Sequence, residues 1–319
     1  MTARGGGATS NGTPGGGPPG RGPGRLGRLV GSVPPPVYFL TAGTSSYVGS
    51  GLAVGLFVSS PALAVGWARI LLAAIILVAW RRPWRRWPRD RPWVALGWTA
   101  AFGAALGGTN LLFYESIARL PLGTAVSLEY LGPVLLAAIG GRGWLNRVAV
   151  VLAFAGVATI GGLGVDLADT DQLVGTIYAL LAGATWATYM WVGQRQAARV
   201  PGADTLAVGL AIAALMYAPI GIPGSGPLLA PDLLPFVVGV AVLSSVVPYV
   251  IDQLAFRRLT ASMFALLSSL LPVTSLIVGL VVLGQVPNAA EIAGLVMVSV
   301  AVGLASRPSP GRRASRPAP

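Results

Sequence analysis

One acid in the middle of an apolar stretch is the first residue of this sequence equipped for chemistry. Residues 107–137, GGTNLLFYESIARLPLGTAVSLEYLGPVLLA, read as two membrane-spanning helices joined by a very short turn, and Glu129 lies near the middle of the second. An ionisable group at bilayer depth costs at least ~2.5 kcal/mol on insertion scales, which marks it as a functional candidate by default. Four residues later, Pro133 lacks the N–H that would pair with the Glu129 carbonyl. A carboxylate and a freed carbonyl at one position suit a proton or a small ligand inside a helix bundle.

Other polar residues in apolar surroundings extend the candidate site. Arg69 is the one arginine that falls inside a span; it either binds a carboxylate of the substrate or neutralises Glu129 and fixes the bundle. Asn110 and Tyr114 are four apart and share a helix face, so they line the cavity if that face is inward and otherwise bond between helices. Trp186 and Tyr189, three apart, have the spacing to face the cavity together. Asp252 sits beside Arg257 and Arg258, where an interfacial ion pair and a gate are equal alternatives. Glu115, near a helix end, is expected to pair with Arg119 at i+4 and to be structural. Trp80, Trp84, Trp87, Trp93 and Trp191 read as an interfacial belt.

The elements that must hold these residues follow from composition. Of 319 residues 54% are hydrophobic and only 10% charged, with a mean hydropathy of +0.72. Soluble domains carry roughly 25% charged residues, so the expected class is an all-α integral membrane protein. Ten segments are long and apolar enough to span, at roughly 35–57, 61–80, 93–116, 122–140, 145–163, 173–194, 203–221, 233–255, 260–283 and 288–305.

Arginine placement supports that reading. With both termini inside, the cytoplasmic segments hold the run Arg81, Arg82, Arg85, Arg86, Arg89 and Arg91 and the pairs Arg142/Arg147, Arg195/Arg199 and Arg257/Arg258. The outer loops hold only Arg119, with Asp166, Asp169, Asp171 and Asp232. This skew is the positive-inside pattern of a plasma-membrane protein with cytoplasmic ends. A weak internal repeat adds to it. Arg119-Leu120 and Pro133 match Arg258-Leu259 and Pro272 at a separation of 139, and Ala155-Gly156-Val157 matches Ala293-Gly294-Leu295 at 138. Five helices per repeat is an odd number, so the second copy inserts upside down. The expected organisation is a disordered tail at 1–32, five-helix repeats at 33–164 and 172–305, and a second disordered tail at 306–319.

The same residues exclude other functions. The chain has no Cys and no His, which removes thiolate chemistry and the usual zinc or haem ligands, and no cofactor is expected. The charge of +12 is topological and does not form a nucleic-acid stripe. A membrane enzyme would show paired acids for Mg²⁺ or a His base near a membrane face. A transporter is therefore the expected function, with a channel as the alternative. Its partners are a small-molecule substrate, protons and the lipid bilayer, and a homodimer is open to it.

At this point four stretches carry a resemblance: SPALAVGWARILLAAIILVAWRRPWR at 60–85, NLLFYESIARLPLGTAVSLEYLGP at 110–133, GATWATYMWVGQR at 183–195 and SSVVPYVIDQLAFRRL at 244–259. The chain resembles the EamA-type members of the drug/metabolite transporter superfamily, most of all threonine/homoserine exporters. The resemblance implies ten helices in two inverted repeats and export of a small amino acid by proton exchange, or carriage of a different metabolite on the same fold. It departs from those exporters in placing Leu270-Leu271 before Pro272, and Asp252 where a longer Glu is expected.

Overall fold

In the computed structural model, the described residues are 35–140, 144–160, 165–196, 202–248 and 269–305, together with Val200, Ile251 and Leu267. Among them every regular element is a helix. Numbered in chain order they are α1 (Pro35–Leu56), α2 (Ala62–Arg81), α3 (Pro92–Ile117), α4 (Leu122–Glu129), α5 (Leu131–Gly140), α6 (Trp144–Thr159), α7 (Thr170–Gln196), α8 (Gly202–Met216), α9 (Leu234–Ala241), α10 (Leu271–Leu283) and α11 (Ala289–Ala305). Asp252, Arg142, Arg199, the Arg257/Arg258 pair and both expected tails lie outside the described residues.

Proline sets most helix starts. Pro61 and Pro121 stand immediately before α2 and α4, and Pro92 opens α3, where the missing N–H is no loss. Proline also explains where the expected spans are interrupted. The span at 122–140 is two helices, breaking at Tyr130 three residues before Pro133. The span at 203–221 ends as α8 at Met216 and resumes as a turn, Ala218–Gly221, containing Pro219. After α9 the chain widens into a π-helix over Val242–Val246, just ahead of Pro248. In each case a ring without an N–H cannot continue the i to i−4 ladder. At α10 the stop is Gly284, whose φ of 67° closes the helix in a conformation that costs a residue without Cβ little.

Among the described residues, Ala62–Arg85 and Thr170–Arg195 are long and apolar enough to cross a bilayer unaided, and further apolar helices, such as Trp144–Thr159 and Leu271–Leu283, run 10–17 residues. Large apolar side chains stand exposed along many of them, among them Val151, Phe154, Leu215, Phe236, Val281 and Val300. Apolar surface on that scale suits lipid contact and not water. Trp80, Trp84 and Trp93 are exposed around the 81–91 loop, as a belt requires.

The interior is assembled from close helix pairs: α3 along α7, α6 along α11, α2 and α3 against α8, and α4 against both α7 and α10. Three pairs cross through facing glycines, Gly103 with Gly209, Gly132 with Gly183 and Gly156 with Gly294, where a Cβ on one glycine would meet the carbonyl oxygen of the other. Such crossings draw backbones together where no hydrophobic force acts between helices in lipid.

Candidate functional site

Glu129 is the last residue of α4 and is 8% exposed. The break that follows it is made locally. Tyr130 N–H still donates to Val126 O at 3.1 Å, and Val134 N–H to Tyr130 O at 3.2 Å, but Pro133 has no N–H for the Glu129 carbonyl. That carbonyl lies against Gly183 of α7, and Gly183 also contacts the Gly132 amide nitrogen. The freed carbonyl is thus covered by bare helix backbone. The Tyr130 ring packs edge-on to Trp186, also on α7, at 4.9 Å and 83°. Tyr130 also shares a side-chain hydrogen bond with Tyr47 of α1, which lies within electrostatic reach of Glu129.

The second part of the site is built on Arg69 of α2, only 5% exposed. Its Nη1 donates to the Tyr114 hydroxyl at 3.1 Å and its Nη2 to Asn110 Oδ1. Asn110 in turn donates from Nδ2 to Leu106 O at 2.7 Å, one turn back on α3. Tyr114 is fully buried, with Phe57 edge-on at 5.9 Å and the Arg69 Cζ 4.9 Å from its ring centroid. Gly66 of α2 leaves the room in which the Tyr114 ring sits. The i, i+4 spacing of Asn110 and Tyr114 therefore delivers both side chains to one guanidinium.

This arrangement differs from a simple ion pair between Arg69 and Glu129. The ion pairs among the described residues are Arg81–Asp204, Arg119–Glu115 and Arg119–Asp171. Arg69 acts on Glu129 through space, yet its direct partners are neutral. Its Nε is buried with no acceptor. Among the described residues the Glu129 carboxylate makes no hydrogen bond or ion pair.

The remaining candidates separate. Trp186 belongs beside Glu129 through Tyr130, whereas Tyr189 packs on Phe102 at 4.8 Å, in the cluster that joins α2, α3 and α8. Trp191 is flanked by Trp98 and covered by the Arg195 guanidinium 3.7 Å from its ring centroid. Glu115 pairs with Arg119 at 2.5 Å, the structural role its spacing predicts. Two buried acids went unnoticed in the sequence, Asp204 and Glu291, as did Tyr47. Both acids fall within three residues of a span boundary, so their depth is hidden in a linear reading. Tyr47 is the tyrosine nearest the middle of the first span, and that was the available signal.

The site brings together one buried carboxylate and one incompletely bonded guanidinium, and the described residues hold no group of three metal-ligating side chains. Comparison with known proteins decides the matter. Over 269 residues the chain is 37% identical to the threonine/homoserine exporter RhtA of Salmonella typhimurium strain LT2, covering 84% of this chain and 89% of that protein. The chain belongs to the EamA-like transporter family. The family model itself matches residues 173–307. RhtA of Escherichia coli K12 is 38% identical over 253 residues, covering 79% of this chain and 84% of that protein. A crystal structure of a further protein, 19% identical, matches the fold with a TM-score of 0.56 over 84% of this chain and 96% of the other. This EamA-like chain is therefore a multi-pass membrane transporter, and the enzyme alternative falls.

Proposed function

We propose that this transporter exports a small amino acid of the threonine or homoserine kind across the cytoplasmic membrane, by proton-coupled alternating access at a site centred on Glu129. The observation that carries the reading is the pairing of a buried acid, Glu129, with a buried guanidinium whose Nε has no acceptor, Arg69, acting on it through space. A buried polar group left unpaired costs about 1–3 kcal/mol, and more when charged. A zwitterion brings an ammonium for Glu129 and a carboxylate for Arg69, with Asn110 and Tyr114 holding the guanidinium in place. When substrate leaves, a proton takes its place on Glu129, which makes the site an exchanger. Trp186 and the Pro133 break shape the space next to the carboxylate. The named substrates of the relatives support the substrate class.

Ten helices in two inverted repeats, at 33–164 and 172–305, are part of this reading. Its support lies in which helices meet. Gly156 and Gly294, equivalent in the internal repeat, touch each other where α6 crosses α11. The fourth span and the ninth, carrying the equivalent Pro133 and Pro272, also pack together as α4 and α10. A two-fold axis in the membrane plane pairs equivalent helices in this way.

Two measurements test the reading. Threonine loaded into vesicles containing the purified protein should leave by a saturable route that an imposed pH gradient accelerates; linear, unsaturable efflux would indicate a channel. For topology, the chain has no native Cys. A single Cys at Ala168, exposed in the 165–170 loop, should react with an impermeant maleimide on intact cells, whereas one at the exposed Trp84 should not. The reverse labelling would overturn cytoplasmic termini.

A further inference from the structure

We propose that two buried acids outside the Glu129 site, Asp204 and Glu291, are gate residues that close opposite ends of the helix bundle. The inference rests on the alternating-access reading above and adds the parts that would alternate.

Asp204 is completely buried in the first turn of α8 and pairs with Arg81 Nε, at the end of α2, at 3.0 Å. The pair is incomplete: Asp204 Oδ2 and the neighbouring Thr205 hydroxyl are buried without partners. A buried ion pair built purely for stability needs its remaining lone pairs satisfied. This one is held by a single contact, which suits a bond that must release. The far ends of the same two helices are joined differently. There the Trp67 indole N–H donates to Ala214 O at 2.7 Å, and Gly221 packs against the same indole. That uncharged contact leaves α2 and α8 a pivot when Arg81 and Asp204 part.

Glu291 lies at the other end of the bundle. Connectivity requires this, because α3 starts next to Arg81, runs 26 residues and delivers the chain to α4 at the opposite end; at 1.5 Å per residue that is about 39 Å. Here Thr124 Oγ1 donates to Glu291 Oε1 at 2.6 Å, and Leu122 N–H donates to Gln285 Oε1 at 2.9 Å. Glu291 Oε2 accepts from Asn288 N–H at 2.8 Å, so the acid also caps α11. A capping role alone would not need Thr124 or Gln285, which reach across to a different helix. The clasp borders a cavity of about 20 Å³ between Gly123, Gly279 and Leu295, room for a single water. Hydrogen bonds that water can reach exchange for water with little net change. The clasp grips the first turn of α4, and the last residue of that same eight-residue helix is Glu129. Opening here would move the carboxylate with the gate.

The test uses the full-length protein in phospholipid vesicles, with spin labels on introduced cysteines. One pair, Trp84→Cys with Gly202→Cys, reports on the Arg81 end; the other, Ala118→Cys with Val286→Cys, reports on the Glu291 end. Asp204→Asn should lengthen the 84–202 distance by several ångströms and leave 118–286 unchanged. Glu291→Gln should do the opposite. Arg81→Gln and Gln285→Ala must reproduce the two results, and they serve if either acid variant fails to fold. Unmoved distances, or both ends widening together, would overturn the proposal. Saturable threonine efflux is measured on the wild-type vesicles in parallel. Efflux with unmoved distances removes the gates and keeps the transporter reading; distances that move as expected without efflux keep the gates and remove the substrate.

Discussion

Vesicles carrying Glu129→Gln are expected to lose proton-driven transport to background while still exchanging substrate for substrate. Glutamine keeps the shape of the protonated acid and cannot release a proton, so it isolates coupling from binding. The expectation rests on a buried carboxylate at a helix break, with the Tyr130 and Trp186 rings beside it and Arg69 as the cation that acts on it through space. Because no described side chain donates to Glu129, the substitution strands no partner, and insertion and folding should be preserved. Accumulation of labelled threonine under an imposed pH gradient, measured beside homoexchange without one, separates the outcomes. If the variant still accumulates threonine in response to the gradient, the coupling proton is carried elsewhere. Asp252 is then the next group to substitute.

The second large effect is expected at Gly183, where the backbone of α7 meets that of the α4–α5 break. A Cβ there collides with the backbone carbonyl of Glu129, and one at Gly132 collides with the carbonyl of Gly183. Backbone cannot swing aside as a side chain tip can. Gly183→Ala must push α7 away from the α4–α5 break, and overpacking of this kind costs about 1–3 kcal/mol. It should also displace Trp186, three residues on, from Tyr130. Gly97→Ala provides the control, because nothing lies within 4 Å of a Cβ at that exposed position of α3. Helix propensity there favours alanine by about 1 kcal/mol. Thermal unfolding in detergent should fall for Gly183→Ala and hold or rise for Gly97→Ala. Equal melting of the two would show that the Gly132–Gly183 crossing is not tight in the membrane.

Much of the architecture is legible in the chain because a bilayer allows few solutions. Apolar runs of spanning length must be helices, and Pro61, Pro92 and Pro121 mark where three of them begin within a residue or two. Glu115 with Arg119 was likewise legible, since i, i+4 partners on one helix need no tertiary information. Glu129 stood out by the cost of its depth, and Pro133 marked the break next to it.

Relations between helices were beyond the sequence. The sequence leaves Arg69 two roles, binding a substrate carboxylate or neutralising Glu129, and cannot name its hydrogen-bond partners. Packing gives the Arg69 guanidinium hydrogen bonds to Asn110 and Tyr114. Trp186 and Tyr189 share a helix and a spacing, but the helices around α7 send one to Tyr130 and the other to Phe102. Asp204 and Glu291 sit near span ends, where the sequence suggests a solvated charge. Only the approach of α2 and α4 from elsewhere in the chain buries them. Local composition, proline and charge depth therefore determined the helices and the central acid. Which side chain answers which depended on contacts between residues 41 to 167 positions apart, and only the tertiary structure decides those.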